Sequence, residues 1–245
     1  MKIQIFGDSF GLPRFYKHDG FDYENFGKPE AGKVIQLHYE DTYPEKVRRG
    51  LQVRLPGEDI VLINNCAQVY NSYNLMGDFK TAYLHQPDYI VVQVGIVDSS
   101  PRAAGAEAPF PFMQGKSPWV SIAEFQNNLL SFIELCLIKI ASLKSMILIN
   151  IVKASEDHYQ RHPGARENTV AYNHVISDLC RIRAEKGPDG KKEYINLYLA
   201  DMFSIVGKMA ETALCTDGVH INAAGSHCLA GEIVELIAAH CKIKR

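Results

Sequence analysis

The stretch Lys2-Ile3-Gln4-Ile5-Phe6-Gly7-Asp8-Ser9-Phe10-Gly11 decides how the rest of the chain is read. Residues 2–6 are a short run rich in β-branched and aromatic side chains, the signature of a strand. The Gly7-Asp8-Ser9-Phe10-Gly11 that follows matches G-x-S-x-G, the pattern of a serine held on a tight turn between a strand and a helix. Such a serine stands at the C-terminal end of a strand, where open α/β sheets bind their ligands. Ser9 is therefore a candidate nucleophile, against the plainer alternative of a turn or cap serine. What decides between them is whether the chain supplies a sheet and a base.

The sheet is legible. Apolar runs at 59–64, 89–94, 145–151 and 193–198 join the first, and most are apolar on both faces, as strands covered on both sides require. Helical periodicity falls between them at 43–55, 122–142, 167–184 and 223–239, with Leu229, Ile233, Leu236 and Ile237 marking the buried stripe of the last and Asn222 in the cap position. Alternation of this kind predicts βαβ units in a three-layer α/β sandwich around a five-stranded parallel sheet. The 245 residues read as a single domain, 1–245. Three segments read as site-forming loops: 98–119, 157–166 and 214–222. The first is long enough to be a lid or binding loop.

Composition narrows the function classes. A net charge of −2 leaves no electrostatic footprint for nucleic acid or an anionic membrane. No secretory signal opens the chain and no apolar run approaches spanning length, so the expectation is a cytoplasmic protein with no membrane insertion. The six cysteines include no C-x-x-C pair, which reads as reduced packing residues without zinc or redox work. His158 and His162 have helical spacing, but Pro163 and Gly164 follow and no third ligand accompanies them, so no metal and no cofactor is expected.

A serine hydroxyl needs a base, and the base needs a carboxylate. Thr216-Asp217-Gly218-Val219-His220 supplies both, with two residues between them, so that one short loop can present a histidine already oriented by an aspartate. The alternatives are an Asx-turn aspartate and a surface histidine. In an α/β-hydrolase the G-x-S-x-G serine follows several strands and its partners lie on separate loops. Here the serine follows the first strand and the partners are nearly adjacent, so that fold is excluded.

These residues resemble the GDSL or SGNH hydrolases, a family of esterases, lipases and carbohydrate deacetylases. Gly7-Asp8-Ser9 matches the first family block, and Asp217 to His220, followed by Asn222-Ala223-Ala224-Gly225, matches the last. The resemblance implies a flavodoxin-like fold, a nucleophile at Ser9, a base at His220 and an orienting carboxylate at Asp217. It also implies an oxyanion hole. The family's third block is G-x-N-D, whereas this chain reads Gly95-Ile96-Val97-Asp98, with valine in the asparagine's place. The second block offers a glycine N–H, yet residues 64–71 contain no glycine. Oxyanion and substrate contacts are therefore assigned to Ser9, Asn71, Gly95, Asp98 and Arg102, with Asn71 as substitute donor and Asp8 as structural. Gly95 to Arg102, in the form Gly-Ile-Val-Asp-x-x-Pro-Arg, looks like a bacterial subgroup tied to surface-polysaccharide assembly. Phe110, Phe112 and Trp119 are candidate pocket aromatics.

The expected activity is hydrolysis of an acyl ester, acetyl in particular, on a small-molecule or carbohydrate alcohol. Two alternatives stand beside it: acyl transfer to a sugar hydroxyl with the same three residues, and a catalytically silent carbohydrate-binding protein of the same fold.

Overall fold

A computed structural model describes residues 1–17, 33–100, 120–181, 184–186 and 193–243. The eight strands among them are β1 (Lys2–Gly7), β2 (Arg14–Lys17), β3 (Lys33–Leu37), β4 (Val61–Cys66), β5 (Tyr89–Gln93), β6 (Ser145–Ile149), β7 (Ala184–Lys186) and β8 (Glu193–Ala200). The main sheet runs β4-β1-β5-β6-β8-β7. Its first five members pair in parallel, and β7 adds a short antiparallel edge on β8 that the hydrophobic pattern did not announce. The second parallel strand in the chain lies outside the first, and the third lies on its other side. This is the flavodoxin-like order, with its topological switch point between β1 and β5.

Alternation within the strands divides the core into two layers. Ile3, Ile5, Tyr89, Val91, Ile147 and Ile149 face helices α1 (Tyr43–Arg54) and α9 (Ala223–Ile243), where Val47, Leu51, Leu229, Ile233 and Ile237 meet them. Phe6, Ile90, Val92, Met146 and Leu148 face the other way. They pack on the short pair α2 (Ser72–Gly77) and α3 (Phe79–His85), and on the longer α5 (Ile122–Lys139) and α7 (Ala165–Arg181). Each fully buried Leu, Ile or Phe contributes roughly 1.5–3 kcal/mol, so both layers stabilise the sheet between them. β4 stands at the edge, partly exposed along its length, which explains why Asn64 and Asn65 are tolerated in it.

Capping sets the helix starts. Ser121 and Glu124 form a reciprocal capping box at α5, and Asn222 accepts the Ala224 and Gly225 N–H groups at α9. The segment expected as a loop at 157–166 is mostly helical instead. Ser155 caps α6 (Glu156–Arg161) by accepting the His158 N–H, after α4 (Ile96–Ser99) and before α8 (Met202–Met209) in the chain. Immediately beyond the Ser9 turn, β2 and β3 form a separate two-stranded antiparallel sheet. No described helix is long and apolar enough to cross a membrane.

Candidate active site

Ser9 stands where β1 ends between two neighbours, Gly7 being level with Cys66 of β4 and with Gln93 of β5. The chain then makes one 3-10 turn, Ser9–Gly11, capped by Asp8, whose Oδ1 accepts the Phe10 N–H at 2.9 Å. Gln93 Nε2 donates to the other Asp8 oxygen at 2.9 Å, and the Asp8 N–H reaches the Gln93 carbonyl at 3.2 Å. Burial pushes the Asp8 carboxyl up to about 7, against the pull of the Phe10 N–H, Gln93 and the Arg14 charge. The side chain thus builds the turn from beneath and leaves the open side to Ser9.

The loop before α9 delivers the partners. Leu214 and Ile221 form an antiparallel bridge, and the Cys215 N–H donates to the His220 carbonyl at 2.7 Å, closing the loop at its base. Asp217 Oδ1 accepts the backbone N–H groups of Val219 (2.9 Å) and His220 (3.0 Å). Its Oδ2 lies 2.5 Å from His220 Nδ1, and His220 Nε2 lies 2.9 Å from Ser9 Oγ. A carboxylate only accepts, so the neutral imidazole carries its proton on Nδ1 and presents an unprotonated Nε2 to the serine hydroxyl.

The histidine and aspartate side chains are only 15% and 13% exposed. Burial is the main cause that holds the His220 pKa below the ordinary histidine value; the Arg14 charge adds to it, and Asp217 opposes. Gly218, between them, has φ +72°, and a Cβ there would sit 2.1 Å from Ser155 Oγ, so only glycine closes this turn against α6. The Ser155 N–H donates to the Gly218 carbonyl at 2.8 Å, fixing the loop from that side.

The other sequence-assigned residues divide. Gly95 starts α4 with φ +123° and a Cβ would meet Ile151 side-chain atoms at 2.8 Å, which makes it a packing glycine. Asp98 is fully buried; it accepts the Ser72 hydroxyl at 2.6 Å and the Ser72 N–H at 3.1 Å, and burial raises its carboxyl to about 6. Its place is under the start of α2, closed off from the surface, with both donors supplied by the protein itself. Asn71 caps α2: its side-chain oxygen accepts the Tyr73 and Asn74 N–H groups at 3.0 and 3.2 Å. Val97 is half-buried on α4. Arg102, Phe110, Phe112 and Trp119, with most of the long loop, lie outside the described residues.

Two features were not foreseen. Val69 has φ +56°, a left-handed conformation that is a genuine outlier for a β-branched residue and costs about 1–3 kcal/mol. It lies in the block where the resemblance expects a glycine, and the Ala67 N–H ties that loop to the Gly7 carbonyl at 2.9 Å. The missing glycine was the signal. Second, Arg14 is a buried arginine whose Nη2 donates to the Ser9 carbonyl, and nothing in the sequence distinguishes it from a surface arginine.

His158 and His162 face each other with ring centroids 4.5 Å apart. Burial, with the charges of His162 and Arg161, lowers His158 to about 4, and among the described residues no group of three potential ligands could hold a metal.

A parallel sheet in flavodoxin-like order, with G-D-S after its first strand and D-x-x-H before its last helix, makes the chain similar to the GDSL/SGNH hydrolases. The curated GDSL esterase/lipase CPRD49 of Arabidopsis thaliana is 27% identical to it over 157 residues, which cover 62% of this chain and 55% of the relative. The match thus spans about half the length of that protein. No family model matches the chain. Among solved structures, LAE5, an alpha/beta hydrolase enzyme from the metagenome of Lake Arreo in Spain, superposes with a TM-score of 0.64 at 18% identity over 98% of this chain and 95% of its own. The lipase/acylhydrolase of Enterococcus faecalis gives 0.61 at 20% identity, covering 97% and 95%. Axe2, an acetylxylan esterase of Geobacillus stearothermophilus, gives 0.61 at 16% identity, covering 96% and 93%. At these identities the structural likeness concerns the fold.

Proposed function

We propose that the chain is a serine esterase that removes an acyl group, acetyl in particular, from a carbohydrate or other small alcohol. The observation that carries the reading is the unbroken hydrogen-bonded line from Ser9 Oγ through His220 to Asp217 at the carboxyl edge of the sheet. Ser9 Oγ attacks the ester carbonyl while His220 Nε2 takes its proton, and Asp217 stabilises the imidazolium that forms. The tetrahedral oxyanion collapses to an acyl-Ser9 ester as His220 returns the proton to the departing alcohol. Water, activated by the same histidine, then releases the acid. The acetylxylan esterase among the structural relatives supports a carbohydrate ester as the first substrate class to test. The decisive experiment is release of acetate from acetylated xylo-oligosaccharides and from an aryl acetate, with a free sugar added as acceptor. Acylated sugar as the main product would replace hydrolysis by transfer.

The pH dependence follows from His220. Its imidazolium is disfavoured, first by burial and then by the Arg14 charge, so the neutral base persists to lower pH than in a free histidine. kcat/KM on an aryl acetate should rise with pH and reach its plateau through a midpoint below the ordinary value of about 6.5. A midpoint above that value contradicts the assignment of the limb to His220.

Val97 leaves the oxyanion without the family's asparagine, so the charge is assigned to the Ser9 N–H and one further donor, for which the Asn71 amide nitrogen is the candidate. Capping engages the Asn71 oxygen, and aspartate caps a helix as well as asparagine does. Asn71→Asp therefore keeps the cap and removes the donor. It should lower kcat by about a hundredfold, with Tm little changed, whereas Val97→Asn should raise kcat on an aryl acetate. An unchanged rate in Asn71→Asp moves the second donor elsewhere.

A further inference from the structure

Arg14 is 2% exposed and is among the largest fully buried side chains of the protein. It opens β2, five residues after Ser9, and its Nη2 donates to the Ser9 carbonyl oxygen. The other end of the same peptide unit is held too, since the Phe10 N–H donates to Asp8 Oδ1 at 2.9 Å. We propose that Arg14 is a positioning residue for the nucleophile: with Asp8 it grips the Ser9–Phe10 peptide from both ends, a cation on the carbonyl and a carboxyl on the N–H. This rests on the reading of Ser9 as nucleophile.

The chemistry favours such a role over filling space. A buried guanidinium is costly to desolvate, and a leucine or methionine would fill the same volume without that cost. Arginine keeps its charge at any working pH and holds its donors in a rigid planar fork. Turning the Ser9–Phe10 peptide would break both grips at once, so the backbone that sets the Ser9 Cα–Cβ direction has one stable orientation. That orientation places Oγ 2.9 Å from His220 Nε2. The same peptide leads into Phe10, whose ring lies against the His220 ring with centroids 4.8 Å apart. Nucleophile and base are thus registered through one clamped unit, and Gln93 anchors the Asp8 half of the clamp to β5.

The guanidinium acts on His220 by charge as well. Among the described residues whose charges bear on that ring are Arg14 from β2, Asp217 from its own loop and His158 from α6, and His158 is held neutral down to about pH 4. Above that pH Arg14 is the cation among them. Its removal therefore raises the His220 pKa, a change that a residue serving only to pack the turn would not produce.

The test uses the full chain, an aryl acetate and a fluorophosphonate probe that labels an activated serine. Arg14→Met should lower kcat and the labelling rate by about a hundredfold, the loss that a misplacement near 1 Å produces, with KM little changed and the acid limb moved to higher pH. Arg14→Lys keeps the charge, so its limb should stay near that of the wild type while kcat falls, because a point ammonium does not reproduce the fork. Should Arg14→Met fail to fold, the lysine variant and Asp8→Ala carry the test, since the first alters the grip on the carbonyl, the second removes the grip on the N–H, and each should slow labelling. Wild-type kcat, labelling rate and pH limb in the folded variants overturn the proposal. Wild-type protein that takes no label at Ser9 overturns instead the reading of Ser9 on which it rests.

Discussion

Ser9→Ala should lower kcat on an aryl acetate by about 10⁴- to 10⁶-fold, the range seen when the serine of such a line is removed. The substitution deletes only Oγ. The turn stays, because Asp8 caps it through the Phe10 N–H and Arg14 holds the Ser9 carbonyl, and neither contact uses the hydroxyl. Thermal unfolding should therefore match the wild type within experimental spread, and the fluorophosphonate mass increment on the intact protein should vanish. Residual labelling at wild-type stoichiometry would mean that another side chain is the nucleophile.

Asp217→Asn should be nearly as severe, at about 10⁴-fold in kcat, for a reason that lies in proton placement. One oxygen of Asp217 takes the Val219 and His220 N–H groups and the other takes His220 Nδ1. An asparagine whose oxygen keeps the two backbone donors turns its NH₂ toward Nδ1, which must then be unprotonated. The imidazole proton moves to Nε2, the atom that has to accept the Ser9 proton. The loop survives and the base does not. Steady-state kinetics paired with circular dichroism separates this from unfolding, and a loss below about tenfold would remove Asp217 from the mechanism.

The parts of this architecture that could be read from the sequence are those where one physical demand dominates. Strands β5 and β6 are buried on both faces, so they appear as unbroken apolar runs, and α9 shows its stripe because one side packs on the sheet. Ser9 and the Asp217–His220 segment are legible because their geometry is local, a turn after a strand and a carboxylate within one loop of an imidazole. The short helices α2 and α6 are not, since they rest on capping by Asn71 and Ser155 more than on periodicity. A similar ambiguity explains the place given to Asp98: a carboxylate near a site looks identical in sequence whether it meets substrate or a backbone N–H. Arg14 and Val69 depend on tertiary context altogether. An arginine beside the Ser9 turn gives no sign of being enclosed, and a valine gives no sign of φ +56°.

The hydrogen bond between Ser9 and His220 joins positions 211 residues apart. During synthesis the serine leaves the ribosome long before its histidine exists, and a serine hydroxyl without a base is a poor nucleophile at neutral pH. On the proposed reading of Ser9, its hydroxyl is therefore inert toward passing esters in the nascent chain. Because long-range contacts are the slowest to form, reactivity switches on only when the last loop docks beside the first strand, so its onset reports completed folding of the sheet from end to end.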